Sequence, residues 1–67
     1  MRLRQAVFDL ICAAPGISAD ELDVFALNAF TFFPRLRCSI ALAHLEDHWQ
    51  IRPAEDKSGH VRYYPLN

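Results

Sequence analysis

The apolar positions near the start of the chain follow the period of an α-helix. They recur three or four residues apart, at Leu3, Ala6, Val7, Leu10 and Ile11. This spacing places them on one helical face. Pro15 and Gly16 then end the pattern, since proline and glycine stop helices. The pattern therefore predicts a first helix over residues 3–14.

A second helix is predicted over residues 19–28. Ser18 precedes Glu21 by three residues, the spacing of a capping box, in which serine and glutamate side chains satisfy amides of the first turn. Asp20 and Glu21 lie in that turn, where the helix dipole favours negative charge. The acidic cluster is thus explained without a functional role. The face predicted to be buried consists of Leu22, Phe25 and Ala26.

A third helix is predicted over residues 32–48, with Thr31 as its cap and Pro34 in its first turn. At about 100° per residue, one side should face the other helices. That inner side consists of Cys38, Leu42, Leu45 and Trp49. The outer side consists of Leu36, Ile40, Ala43 and Asp47, flanked by Arg37, His44 and His48.

Two short segments rich in β-forming residues follow, at residues 49–53 and 60–64, with a polar loop between them. Alternation predicts an inner face with Ile51, Val61 and Tyr63, and an outer face with Arg52, His60, Arg62 and Tyr64. Trp49 and Tyr63 are interpreted as core anchors of this hairpin. The predicted fold is mainly α in the α+β class, a three-helix bundle with a C-terminal β-hairpin, forming a single domain over residues 1–67.

Composition narrows the possible functions. The 67 residues are 52% apolar, which favours a folded domain with some apolar surface left for a partner. The formal charge of −1 excludes a polybasic chain that coats nucleic acid, although the basic residues concentrate in the second half. The sequence has no apolar run long enough to span a bilayer. Cys12 and Cys38 fall in apolar helical patterns and are interpreted as buried thiols, so a cytoplasmic location is expected; a disulfide stays open.

The order of three helices and a hairpin resembles the winged helix-turn-helix family. Three stretches carry the resemblance: Ser18 to Leu22, which open the second helix; Cys38 to Ile51, with its apolar ladder; and Gly59 to Tyr64, which match a returning strand. The sequence departs from the family pattern at Trp49, a turn position that is often glycine. The link from Asn28 to Pro34 is also longer than usual.

The resemblance implies that the third helix enters the major groove of double-stranded DNA and that the hairpin, the wing of the family, contacts its backbone. Carried over by position, the groove-facing candidates are Arg35, Arg37, Ser39, Ile40 and His44. The wing candidates are Arg52, Lys57, His60 and Arg62. Of the two arginines on the third helix, Arg37 is the stronger candidate for a DNA contact, because Arg35 projects nearer the core flank. The expectation is a small DNA-binding regulator of transcription or recombination, working as a dimer.

An alternative stays open, because aliphatic side chains on the outer side of the third helix suit a protein partner or a second copy better than base edges. The candidate interface consists of Phe30, Phe32, Phe33, Leu36, Ile40 and Ala43. One of the phenylalanines is expected to cover the gap between the second and third helices.

Catalytic and ligand sites have weaker support in the sequence. His44 and His48 stand one turn apart, but no second ligand pair accompanies them, so no metal or cofactor is predicted. Ser39, His44 and Asp47 are close in sequence, yet a chain this small has little room for a catalytic pocket. We therefore expect a non-enzyme with no small-molecule substrate.

Overall fold

The structure, a computed structural model, describes residues 3–29 and 32–66. It contains three helices, α1 (Leu3–Ala13), α2 (Ala19–Ala29) and α3 (Pro34–Asp47), and three strands, β1 (Ile17–Ser18), β2 (Ile51–Glu55) and β3 (Val61–Pro65). Among these residues, no helix is both long and apolar enough to cross a bilayer. The predicted α+β class is confirmed, and each predicted helix is present with ends shifted by one or two residues.

The strands form one antiparallel sheet in the order β1-β3-β2. In the hairpin, Arg52 pairs with Tyr64 and Pro53 with Tyr63. The strands begin one or two residues later than predicted. β1 was not predicted, because two residues are too few to show alternation; in the sheet Ile17 pairs with Tyr63 and Ser18 with Arg62. The sheet therefore ties the turn after α1 to the hairpin.

The core lies between the three helices and is closed at one end by the sheet. Its buried apolar side chains are Val7, Ile11, Ile17, Leu22, Ala26, Cys38, Ala41, Leu42, Leu45 and Ile51. Tyr63 is half-buried and packs against this cluster, which agrees with its predicted role as an anchor. Leu3, Phe8, Leu10 and Phe25 also pack against it. α3 supplies four of the ten buried residues, so its inner face is the centre of the fold.

Ser18 caps α2 as predicted, with one difference. The Glu21 amide donates to Ser18 Oγ at 3.2 Å, and the Ser18 hydroxyl donates to Glu21 Oε1 at 3.1 Å. The Glu21 carboxylate therefore bonds the serine hydroxyl and not the serine amide.

α3 begins later than the sequence predicts. Its N-cap is Phe33, in the left-handed region at φ 49°, and makes no side-chain cap hydrogen bond. Pro34 then occupies the first helical position, where its missing amide hydrogen costs nothing. The predicted cap Thr31 lies outside the described residues, as does Phe30. Phe32 and Phe33 are 70% and 72% exposed, so neither covers the gap between α2 and α3.

Two further predictions were wrong. Trp49 is 81% exposed and has φ 58°, because the chain must turn through a left-handed residue between α3 and β2. The helical period, extended past Asp47, wrongly placed its indole inside. Cys12 is exposed on α1, whereas Cys38 is fully buried; both are free thiols.

Candidate nucleic-acid interface

A basic groove runs between α1 and α3 beside the outer face of α3. It encloses about 260 Å³ and is lined by Leu3, Arg4, Arg37, Ile40, Ala41 and His44. Among the described residues that line it, none is acidic. In a chain with a formal charge of −1, this is a local concentration of positive charge next to the most exposed helical face.

Packing of α1 against α3 creates this groove. Ala41 is buried at the contact, so the start of α1 lies close to the middle of α3. Arg4 Nη1 thereby reaches His44 Nε2 across 40 positions of sequence. Sequence reasoning missed Arg4, because the basic residues appeared to concentrate in the second half of the chain. Its position at the start of a helix gave no signal that α3 would be its neighbour.

The contact with Arg4 fixes the state of the His44 ring. An arginine only donates, so Nε2 must accept, and the proton of the neutral ring then resides on Nδ1. The pKa of His44 lies below its ordinary value of 6.5, first because of desolvation and then because of the charges of Arg4 and His48. Asp47 acts in the opposite direction. The contact with Arg4 therefore favours the neutral form of the His44 ring.

His48 continues the basic flank by one turn. Its ring stacks on His44 with centroids 4.1 Å apart, and its Nδ1 donates to the His44 carbonyl oxygen at 2.8 Å. Among the described residues, no group of three or more His, Cys, Asp or Glu side chains is arranged to hold a metal ion. His44 lines the basic groove, whereas His48 lines a neighbouring one together with Gln5 and Phe8.

Arg37 is exposed at the other end of the groove. Its Nε donates to the Phe32 carbonyl oxygen at 2.9 Å, and its own amide donates to the Phe33 carbonyl oxygen, also at 2.9 Å. These bonds position the guanidinium group beside the first turn of α3. Arg35 and Ser39 are also exposed, but neither lines the groove of Arg37 and His44.

The outer face of α3 is open and mostly apolar. Leu36 and Ile40 are 58% and 61% exposed, and Ala43 and Asp47 are exposed as well. Phe32 and Phe33 precede them at the start of the helix. The predicted outer face is therefore present, and the described members of the candidate protein interface all lie at the surface.

The hairpin arginines have intramolecular partners. Arg62 donates from Nε to Asp56 Oδ2 and from Nη1 to the Gly16 carbonyl oxygen, both at 2.9 Å. The Arg52 guanidinium carbon lies 5.1 Å from the centroid of the Tyr64 ring. These contacts give both side chains a structural role in the sheet, whether or not a ligand also binds them.

Asp56 organises the loop between β2 and β3. Its Oδ1 accepts from the amides of Ser58 and His60, at 2.8 and 2.9 Å, while Oδ2 accepts from Arg62. The hydrogen bond from Arg62 is the largest cause of the lowered pKa of Asp56, followed by the bond from the His60 amide. Lys57 and His60 are exposed on this ordered loop.

The structure thus separates the predicted site residues into a groove group and a hairpin group, with Arg35 and Ser39 in neither. Arg37, Ile40 and His44 meet in one groove with Arg4, while Arg52, Lys57, His60 and Arg62 belong to the hairpin. Comparisons with protein-family models, curated proteins and solved structures returned no match.

Proposed function

We propose that this protein is a small winged-helix module that binds double-stranded DNA, with α3 at the major groove and a phosphate in the basic groove. The single observation that carries the proposal is the meeting of Arg4, Arg37 and His44 beside the exposed face of α3. Guanidinium groups bind phosphate oxygens through charge-assisted, two-pronged hydrogen bonds. A polyanion suits this groove, because it brings two arginines together on a chain of slightly negative net charge.

The topology supports the same proposal. A short strand between the first two helices, joined to the last strand of a hairpin in the order β1-β3-β2, is compatible with a winged helix. In that arrangement the third helix is the reading element, and a major groove is wide enough to accept it. Lys57 and His60 in the hairpin loop then contact the DNA backbone, and Arg52 and Arg62 lie on the adjoining strands β2 and β3. On this proposal the protein is a binding protein and not an enzyme.

Fluorescence anisotropy with a pool of labelled duplexes tests the proposal, with salt varied at constant pH. We expect affinity to fall steeply with salt, and Arg4→Ala combined with Arg37→Ala to weaken binding by about tenfold or more. Arg37→Lys keeps the charge but loses the two-pronged hydrogen bonds, so it should recover only part of the affinity that Arg37→Ala loses. Circular dichroism confirms that each variant is folded. The proposal would be contradicted if the double variant bound duplex DNA as tightly as the original protein. It would also be contradicted if the affinity did not change with salt concentration.

A second candidate function is a winged-helix module for protein binding. The observation that favours it is the exposure of four large apolar side chains at the start and along the outer face of α3, namely Phe32, Phe33, Leu36 and Ile40. Base edges are read mainly through hydrogen bonds, which these side chains cannot make. Exposed apolar patches of this size commonly mark interaction sites.

A further inference from the structure

The four exposed side chains Phe32, Phe33, Leu36 and Ile40 form what we call the α3 patch. They are between 58% and 72% exposed. With about 200 Å² for a complete side chain of this size, the patch offers roughly 500 Å². It follows the helix, since Leu36 and Ile40 are one turn apart and Phe33 comes just before the first turn. Water contact with so much apolar surface is unfavourable, so the patch is suited to being covered.

The charges along α3 indicate what covers it. Arg35 lies in the first turn and Glu46 in the last, about three turns apart, so both side chains project from the same flank of the helix. When two copies of such a helix pack antiparallel, the same flank of each copy meets. Arg35 and Glu46 are equally far from the midpoint between Ile40 and Ala41. An antiparallel pair centred there sets Arg35 of one copy beside Glu46 of the other, twice by symmetry.

The side-chain sizes fit the same register. At the centre, Ile40 meets its own copy across the two-fold axis. Leu36 approaches Ala43 of the second copy, where a small side chain leaves room for a larger one. Phe33 approaches the end of the second α3, near Asp47. The apolar contacts and the charged contacts are therefore compatible with one antiparallel arrangement centred near Ile40.

From these features we propose that the α3 patch is a self-association surface, on which a second copy of this chain packs α3 against α3 antiparallel about a two-fold axis. A symmetric pair buries both patches, roughly 1,000 Å² in total, which is the lower bound for a specific interface. The result is a reversible dimer of modest affinity. This dimer covers the face of α3 that the proposed function turns towards the major groove, so self-association and duplex binding through α3 exclude each other.

Light scattering and sedimentation equilibrium over a wide range of protein concentration test the inference, with no DNA present. We expect the mass to rise from one chain of 7.7 kDa towards two as concentration increases. Ile40→Asp should leave a monomer at all concentrations. Leu27→Asp is the matched control, because Leu27 is 51% exposed on α2, outside the patch, and this variant should dimerise normally.

A charge reversal tests the register without touching the apolar surface. Arg35→Glu alone and Glu46→Arg alone should each weaken the dimer about tenfold, and the two together should restore it. A chain that stays monomeric at its highest soluble concentration would overturn the inference. So would a double variant, Arg35→Glu with Glu46→Arg, that dimerises no better than the single variants. If the wild type is monomeric but Ile40→Asp weakens duplex binding, the patch serves DNA and not a second copy.

Discussion

Arg4 on α1 donates a hydrogen bond to Nε2 of His44 on α3. This bond spans the contact between the two helices and keeps an arginine and an imidazole in one groove. Since the bond requires an unprotonated Nε2, the two groups cannot both be charged without losing it. The groove therefore holds two permanent cations, Arg4 from α1 and Arg37 from α3, beside the imidazole of His44.

Removing the arginine charge should raise the pKa of His44. In Arg4→Gln, we expect the pKa to move back towards its ordinary value of 6.5, although desolvation and the neighbouring His48 still lower it. The chemical shift of the His44 imidazole C–H across a pH titration measures this directly. Gln5→Ala, which removes the partner of Asp9 on the same helix, is the control and should leave the titration unchanged. A pKa that falls further in Arg4→Gln would contradict the structure.

Replacing Trp49 by glycine should stabilise the fold. Trp49 has φ 58°, a conformation that costs an ordinary L-residue roughly 1 kcal/mol and costs glycine almost nothing. The exposed indole has little packing to lose. Urea denaturation should therefore give Trp49→Gly a free energy of unfolding about 1 kcal/mol higher. Trp49→Ala removes the same indole but keeps the Cβ, so it should show no comparable gain; equal gains in both variants would mean that backbone strain is not the cause.

The two thiols should react very differently. Cys12 is exposed, whereas Cys38 is fully buried and its Sγ donates to the Leu22 carbonyl oxygen at 3.8 Å. Burial is the main cause that raises the pKa of Cys38 from 9.0 to about 11, with the charge of Asp23 adding to it. A thiol reagent should therefore modify one cysteine in the native protein and both in urea. Rapid native labelling of Cys38 would show that α2 and α3 separate readily.

The same burial predicts a loss of stability in alkali. Cys38 has a higher pKa folded than unfolded, so its contribution is complete below the ordinary thiol pKa of 9.0 and is lost as pH rises towards about 11. Tyr63, whose pKa burial also raises above its ordinary value, acts in the same direction. Thermal melts between these pH values should show a falling Tm, and the fall should be smaller in Cys38→Ala.

Asp56 should govern the order of the hairpin loop. Its folded pKa is depressed, so its contribution is present above 3.8 and is lost as the pH falls through the lowered value. We expect Asp56→Asn to lower Tm at pH 7 and to increase amide exchange at Ser58 and His60, whose amides Oδ1 accepts. Glu55→Gln, which changes the neighbouring acid on β2, should have little effect. Equal exchange rates in the two variants would exclude Asp56 as the organiser of the loop.

Truncating the inner face of α3 should cost far more than truncating an exposed leucine. Leu45 is 1% exposed at the centre of the core, so Leu45→Ala removes buried methyl groups and leaves a cavity, at a cost of about 2–5 kcal/mol. Leu27→Ala on α2 should cost less than about 0.5 kcal/mol. Chemical denaturation of the two variants compares them, and similar costs would mean that α3 is not the centre of the core.

The sequence predicted the helices and the buried residues well, because a helical period extends over many residues and is set by the core. It predicted helix ends and turns poorly. Phe33 and Trp49 both adopt left-handed backbone at the two ends of α3, which a hydrophobicity pattern cannot reveal. The family pattern, in which this turn position is often glycine, gave a hint at Trp49, and the positive φ there agrees with that pattern.

The sequence predicted only part of the candidate site. Arg37 and His44 could be found because they share a helix and project from one flank. Arg4 could not, because a contact across 40 positions depends on how two helices cross, which one sequence does not reveal. One partner of Arg62 was hidden for the same reason, since Gly16 joins it only through the pairing of β1 with β3.

β3 has a consequence for how the chain acquires its structure. It is the middle strand of the sheet, yet it follows every helix in the sequence and pairs with residues more than 40 positions earlier. Until β3 is in place, α1, α2 and α3 lack the strand that joins Ile17 to Ile51. We therefore expect folding to be completed in a late step, when Val61–Pro65 inserts between β1 and β2.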